Sequence, residues 1–114
     1  MTIDYVRRRF TVPEYEQMSE AGILAEDDRL ELIHGEIVEI TPICRRYAAS
    51  VKKINRILSE RFASDALLSV PGPIVVTEDS EPQPDLALLR PRSDYYAAVN
   101  PRPQDILLLV EVAD

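Results

Sequence analysis

Apolar and polar positions along the chain change period several times, and each change marks an element. Thr11-Val-Pro-Glu14 is a helix start: Thr11 can cap, Pro13 suits the first turn, and Glu14 completes a capping-box spacing. A helix is predicted from there to about Ala21, with Gly22 as its stop. Arg29 to Ile40 then alternates in two short runs about His34-Gly35, the pattern of a β-hairpin. Leu30 and Leu32 fall on one face, Glu31 and Ile33 on the other. Gly35 is expected to supply a positive φ, and His34 to be a turn residue rather than a ligand.

After Pro42 the period becomes helical. Tyr47, Val51, Ile54 and Leu58 recur on one side, with Ile57 and Phe62 widening the stripe, which predicts a long helix over roughly 44 to 64 with Tyr47 in the core. Leu67 to Val70 and Ile74 to Thr77 read as short strands broken by Pro71-Gly-Pro73. Glu78 to Pro84 is an acidic, proline-bearing loop, and Asp85 to Leu89 a strand. Pro91 to Pro103 is a connection with one helical turn around Asp94 to Val99. Asp105 to Val112 is an unbroken apolar strand, expected to be central and covered on both faces. This order of helix, hairpin, helix and strands predicts an α/β (α+β) fold, a mixed sheet flanked by helices. Two residues after Val112 cannot cover that strand. Either an earlier segment does so or the chain is C-terminally incomplete, and the second is the expectation.

The 114 residues are 46% apolar and 29% charged, the balance of one globular domain spanning 1–114. A net charge of −7 argues against a polybasic membrane or nucleic-acid binder as a whole-chain description. The longest apolar run, Ile106 to Val110, is far too short to span a bilayer, and no apolar leader core precedes Arg7-Arg-Arg9. A single cysteine, Cys44, excludes an internal disulfide and a cysteine-based zinc site. A single histidine, His34, excludes a two-histidine site. A reduced, cytoplasmic protein with no membrane partner is expected.

The charge is unevenly placed. The long helix carries Arg45, Arg46, Lys52, Lys53, Arg56 and Arg61 against Glu60, about +5, which leaves about −12 for the rest. That face is either a solvated outer surface or a contact for a phosphate backbone.

Two acids sit where a core strand would not want them. Asp85 opens one strand, and Glu111 follows Leu107-Leu-Leu-Val110 in another. If these strands are antiparallel neighbours, the start of one lies beside the end of the other and the two carboxylates meet. If they are parallel, roughly 17 Å separates them. Carboxylates held together repel unless a divalent cation lies between them, and oxygen ligands favour Mg²⁺, Mn²⁺ or Ca²⁺. The plainer alternative is that Asp85 caps a turn and Glu111 pairs with an arginine. Glu31 is a third candidate acid, or simply faces solvent.

The motifs together resemble those of the Uma2 family of restriction-endonuclease-like proteins. The likeness rests on Phe10-Thr-Val-Pro-Glu-Tyr15 with Glu20-Ala-Gly-Ile-Leu24, on Arg29-Leu-Glu-Leu-Ile-His-Gly-Glu-Ile37, on Glu81-Pro-Gln-Pro-Asp-Leu-Ala-Leu88, and on Asp105-Ile-Leu-Leu-Leu-Val-Glu-Val-Ala-Asp114. The resemblance implies a restriction-endonuclease-like fold with a PD-(D/E)XK-type site. It implies hydrolysis of DNA phosphodiester bonds with Mg²⁺ or Mn²⁺, Asp85 and Glu111 as metal ligands, and Glu31 as the extra acid of the catalytic set. Three departures stand out. The net charge of −7 does not favour tight DNA binding without metal. Ala113 replaces the lysine two places after Glu111, the family's lysine coming from a later helix, and Lys52 and Lys53 sit on the polar side of the long helix. Tyr47 stands where the family often has a histidine. The chain itself is therefore expected to be inactive or impaired. The alternative is a non-catalytic interaction or dimerisation module with a vestigial acidic site. A homodimer is expected, since an uncovered strand edge invites self-association.

Overall fold

A computed structural model of the chain describes residues 3–25, 29–40 and 44–112. Expectations that fall on Met1, Thr2, Pro42, Ala113 and Asp114 lie outside the described residues.

Helix α1 (Val12–Glu20) begins with the predicted reciprocal cap. Thr11 Oγ1 accepts the Glu14 N–H, and Glu14 Oε1 accepts the Thr11 N–H at 2.9 Å. Beyond the C-cap Ala21, Gly22 takes a left-handed φ of 78°. Strands β1 (Leu30–Ile33) and β2 (Glu36–Glu39) pair antiparallel across a turn in which His34 and Gly35 have φ of 49° and 79°, as a two-residue primed hairpin requires. Gly35 is constrained twice. Besides its φ, a Cβ there would stand 2.8 Å from Arg9 Cβ and 3.2 Å from Phe10 N and O. The N-terminal segment crosses the turn this closely because the Phe10 N–H donates to Gly35 O at 2.9 Å.

The hairpin is anchored by Leu32, fully buried with Val12, Tyr15 and Val75. Its backbone also pairs with the loop before β4: Leu32 N–H donates to Glu81 O, and Glu81 N–H donates to Leu32 O at 2.7 Å. Helix α2 (Arg45–Phe62) covers one face of a second sheet made of β3 (Leu67–Ser69), β4 (Leu86–Leu89) and β5 (Ile106–Val110), in the order β3-β4-β5. Ile54, Leu58 and Phe62 of the helix pack with Leu68, Leu88 and Val110. On the opposite face Ile74 packs with Ala87 and Leu89. Every residue of β4 is thereby buried.

The α+β arrangement expected from the sequence is present, with several corrections of detail. All pairings among the described residues are antiparallel, in two small sheets rather than one mixed sheet. The central strand is β4. Strand β5 is an edge strand whose Leu107, Leu108 and Leu109 are 47%, 43% and 48% exposed, because no described residue covers or pairs with its far side. Ile74 to Thr77 joins neither sheet. The N–H groups of Ile74, Val75 and Val76 instead donate to Pro82, Pro101 and Ser80 carbonyls. Asp94 to Val99 forms turns, not a helical turn, with Tyr95 and Tyr96 at positive φ. On α2, Ile57 is exposed and lies outside the buried stripe, about 100° round the helix from Leu58, while Tyr47 is half-buried.

Candidate functional site

The register of the second sheet decides where its acids fall. Leu86 pairs with Val110 and the strands run in opposite directions, so Asp85 and Glu111 are the next facing positions at that end of the sheet. Asp85 is buried and its Oδ2 accepts the Val112 N–H at 2.7 Å, which ties the start of β4 to the exit of β5. Glu111 lies one residue beyond β5 and is exposed. Its carboxyl nonetheless titrates above its ordinary value. Partial desolvation is the first cause, followed by the negative charges of Asp85 and Glu31 and a hydrogen bond to the Asp85 side chain.

Glu31 reaches the same region from the hairpin. It does not simply face solvent: its Oε2 accepts the Gln83 N–H at 2.7 Å, two residues before Asp85. The loop that carries the Pro84-Asp85 pair thus positions two acids at once, one by sequence and one by a backbone bond. No lysine or arginine forms an ion pair with Asp85, Glu111 or Glu31 among the described residues, where the ion pairs are Arg7–Glu36, Arg56–Glu60 and Arg92–Asp94. The plainer alternative, an arginine partner for Glu111, is therefore not the arrangement seen. Lys52 and Lys53 are exposed on α2, and His34 is exposed in the hairpin turn.

Three acids do not amount to a closed cage. No group of three or more His, Cys, Asp or Glu side chains among the described residues is placed to hold one metal ion. What the geometry provides is a facing pair, Asp85 and Glu111, with Glu31 near enough to act on it through charge. Two carboxylates are a sufficient protein contribution for Mg²⁺, which keeps several waters and takes its other oxygens from a phosphate.

A second acidic pair lies on the wall of a cleft. A cleft of about 1070 Å³ is lined in part by Tyr15, Glu16, Val75, Glu81, Gln83 and Asn100. Asn100 Nδ2 donates to Glu16 Oε1 at 3.1 Å and to Glu81 Oε1 at 3.0 Å. Glu81 is 5% exposed, and its carboxyl is pushed up to about 8 by burial first and then by its hydrogen bond and charge contact with Glu16. Burial also raises the Tyr15 hydroxyl, helped by the charges of Glu81 and Glu31. Sequence reading did not find this pair. Asn100 is 84 positions from Glu16, and nothing in the local pattern links them.

A family model, Uma2, described as "Putative restriction endonuclease", matches residues 12–114. The chain belongs to the Uma2 family. No curated protein and no solved structure matches it. The antiparallel α+β arrangement is consistent with the restriction-endonuclease-like fold that Uma2 membership carries. Uma2 membership points to endonuclease activity, with DNA as the class of substrate and the divalent-metal use general to such families. No helix among the described residues is long and apolar enough to cross a membrane.

Proposed function

We propose that this chain is a metal-dependent endonuclease domain whose ion is held by Asp85 and Glu111, with Mg²⁺ or Mn²⁺ as the ion. The observation that carries this reading is the antiparallel register that sets Asp85 against Glu111, with no ion pair to either acid among the described residues. When bound, such an ion polarises a phosphate oxygen and lowers the pKa of a coordinated water. The chain's own residues supply position. The Val112 N–H fixes Asp85 Oδ2, and the Gln83 N–H fixes Glu31 Oε2, so neither acid has to be ordered when DNA arrives. Glu31 stands beside the ligand pair as an acceptor that can orient a water or support a second ion.

The lysines of the chain are exposed on α2, and neither forms an ion pair with these acids among the described residues. The 114-residue chain is accordingly a metal and DNA binder with weak cleavage. The test is nicking of supercoiled plasmid by excess protein over a long incubation. Slow nicking that needs Mg²⁺ or Mn²⁺ and falls to background in Asp85→Asn is expected. Nicking that persists in EDTA or in that variant contradicts the assignment.

A second reading, a non-catalytic dimerisation module, is favoured by one feature: the edge of β5, which no strand among the described residues pairs with, and its half-exposed leucines. Sedimentation separates the two readings. A dimer dispersed by Leu108→Lys, in a protein that binds no metal, supports the module.

A further inference from the structure

The basic side chains of α2 play no part in the site at Asp85. All six, Arg45, Arg46, Lys52, Lys53, Arg56 and Arg61, are exposed. Among the described residues only Arg56 is in an ion pair, with Glu60 at 3.0 Å, and that carboxylate is itself mostly exposed. At about 100° per residue, Arg45, Lys52 and Arg56 form one row along the helix and Arg46 and Lys53 a second, together an arc of about 120°. The buried stripe of Ile54, Leu58 and Phe62 is on the opposite side. The stripe from Arg45 to Arg56 runs for about 16 Å. It is the basic face of a chain whose net charge is −7, so a polyanion that approaches is repelled elsewhere and attracted here.

Its place relative to the acids sets what it can hold. The buried side of α2 packs on Val110, the residue before Glu111. A phosphate on the outer side is separated from Glu111 by at least the width of the helix, about 10–12 Å. The stripe therefore cannot bind the phosphate that faces the acids. It suits phosphates of the same duplex farther along.

We propose that the outer face of α2 is a sequence-independent docking surface for the backbone of duplex DNA, contacted through Arg45, Arg46, Lys52, Lys53 and Arg56. This deepens the endonuclease reading, and it rests on DNA being the substrate but not on the metal site. Binding is therefore measured in EDTA, by fluorescence anisotropy of a labelled random-sequence duplex over a range of salt concentrations. The triple variant Arg45→Gln, Lys52→Gln, Lys53→Gln should weaken binding at least tenfold at low salt. It should also make the slope of log affinity against log salt shallower by about 2 to 3, since each lost phosphate contact removes about 0.9. A control variant with the same charge change away from α2 (Arg7→Gln, Arg8→Gln, Arg92→Gln) should keep the wild-type slope. Equal slopes for the wild type and the α2 variant overturn the proposal, as does an equal loss in the control. Absence of duplex binding by the wild type, or binding to anionic lipid vesicles in preference to duplex, overturns it too. Loss of metal binding in Asp85→Ala with duplex binding intact leaves it standing, so the two claims fail separately.

Discussion

At the scale of single residues, the decisive groups are carboxyls that share space. Glu111 titrates high partly because Asp85 and Glu31 are near. In Asp85→Ala, its pKa measured by carbon NMR should move back towards the ordinary range. The return should be partial, because desolvation remains. An unchanged value means the two side chains are apart. Glu81 makes a different prediction. Its carboxyl is raised from 4.5 to about 8, so the folded protein holds this proton more tightly than the unfolded chain. Stability from this group is fully present below about 4.5 and is lost as pH rises to about 8. Glu81→Gln keeps a neutral partner for Asn100, so its thermal midpoint relative to wild type should be several degrees higher at pH 8.5 than at pH 5. A difference that does not vary with pH contradicts the assignment. The contrast between the two pairs shows what a sequence can carry. Asp85 and Glu111 were legible because each marks a strand end, and antiparallel pairing makes two such ends meet. Glu16, Glu81 and Asn100 meet only through the way α1 and two loops fold over one another, and no periodicity encodes that.

At the scale of elements, the helices and the hairpin were legible because each carries its own local signal: a capping box, a primed turn, a stripe of period 3.6. The rank of strands within a sheet has no such signal. Leu86-Ala-Leu-Leu89 and Ile106-Leu-Leu-Leu-Val110 are both apolar runs, and which is central depends on what covers them. The structure makes the difference measurable. Leu88→Ala, in the fully buried strand, should cost about 2–5 kcal/mol in urea unfolding. Leu109→Ser, on the half-exposed edge, should cost less than about 1.5 kcal/mol, because little apolar area is lost. Equal costs mean that β5 is as buried as β4. In the hairpin, Gly35→Ala must accept both a left-handed φ and a clash with the Arg9-Phe10 segment. A loss of about 2 kcal/mol or more is expected by the same unfolding measurement. A neutral effect means that the segment does not cross the turn.

At the scale of the whole molecule, the charge is divided between two places. An acidic body gathers carboxylates at one sheet end, and a basic helix lies across the adjoining face. The sheet connects them: Val110 packs under α2, and the next residue is Glu111. The central claim is that Asp85 and Glu111 form one oxygen site for a hard divalent ion. Isothermal titration of the 114-residue protein with Mn²⁺ at neutral pH tests it most directly. One saturable site is expected, which disappears in both Asp85→Ala and Glu111→Ala while the variants keep their helical circular dichroism. Saturable binding that survives in either folded variant, or no heat at millimolar Mn²⁺ in the wild type, contradicts it.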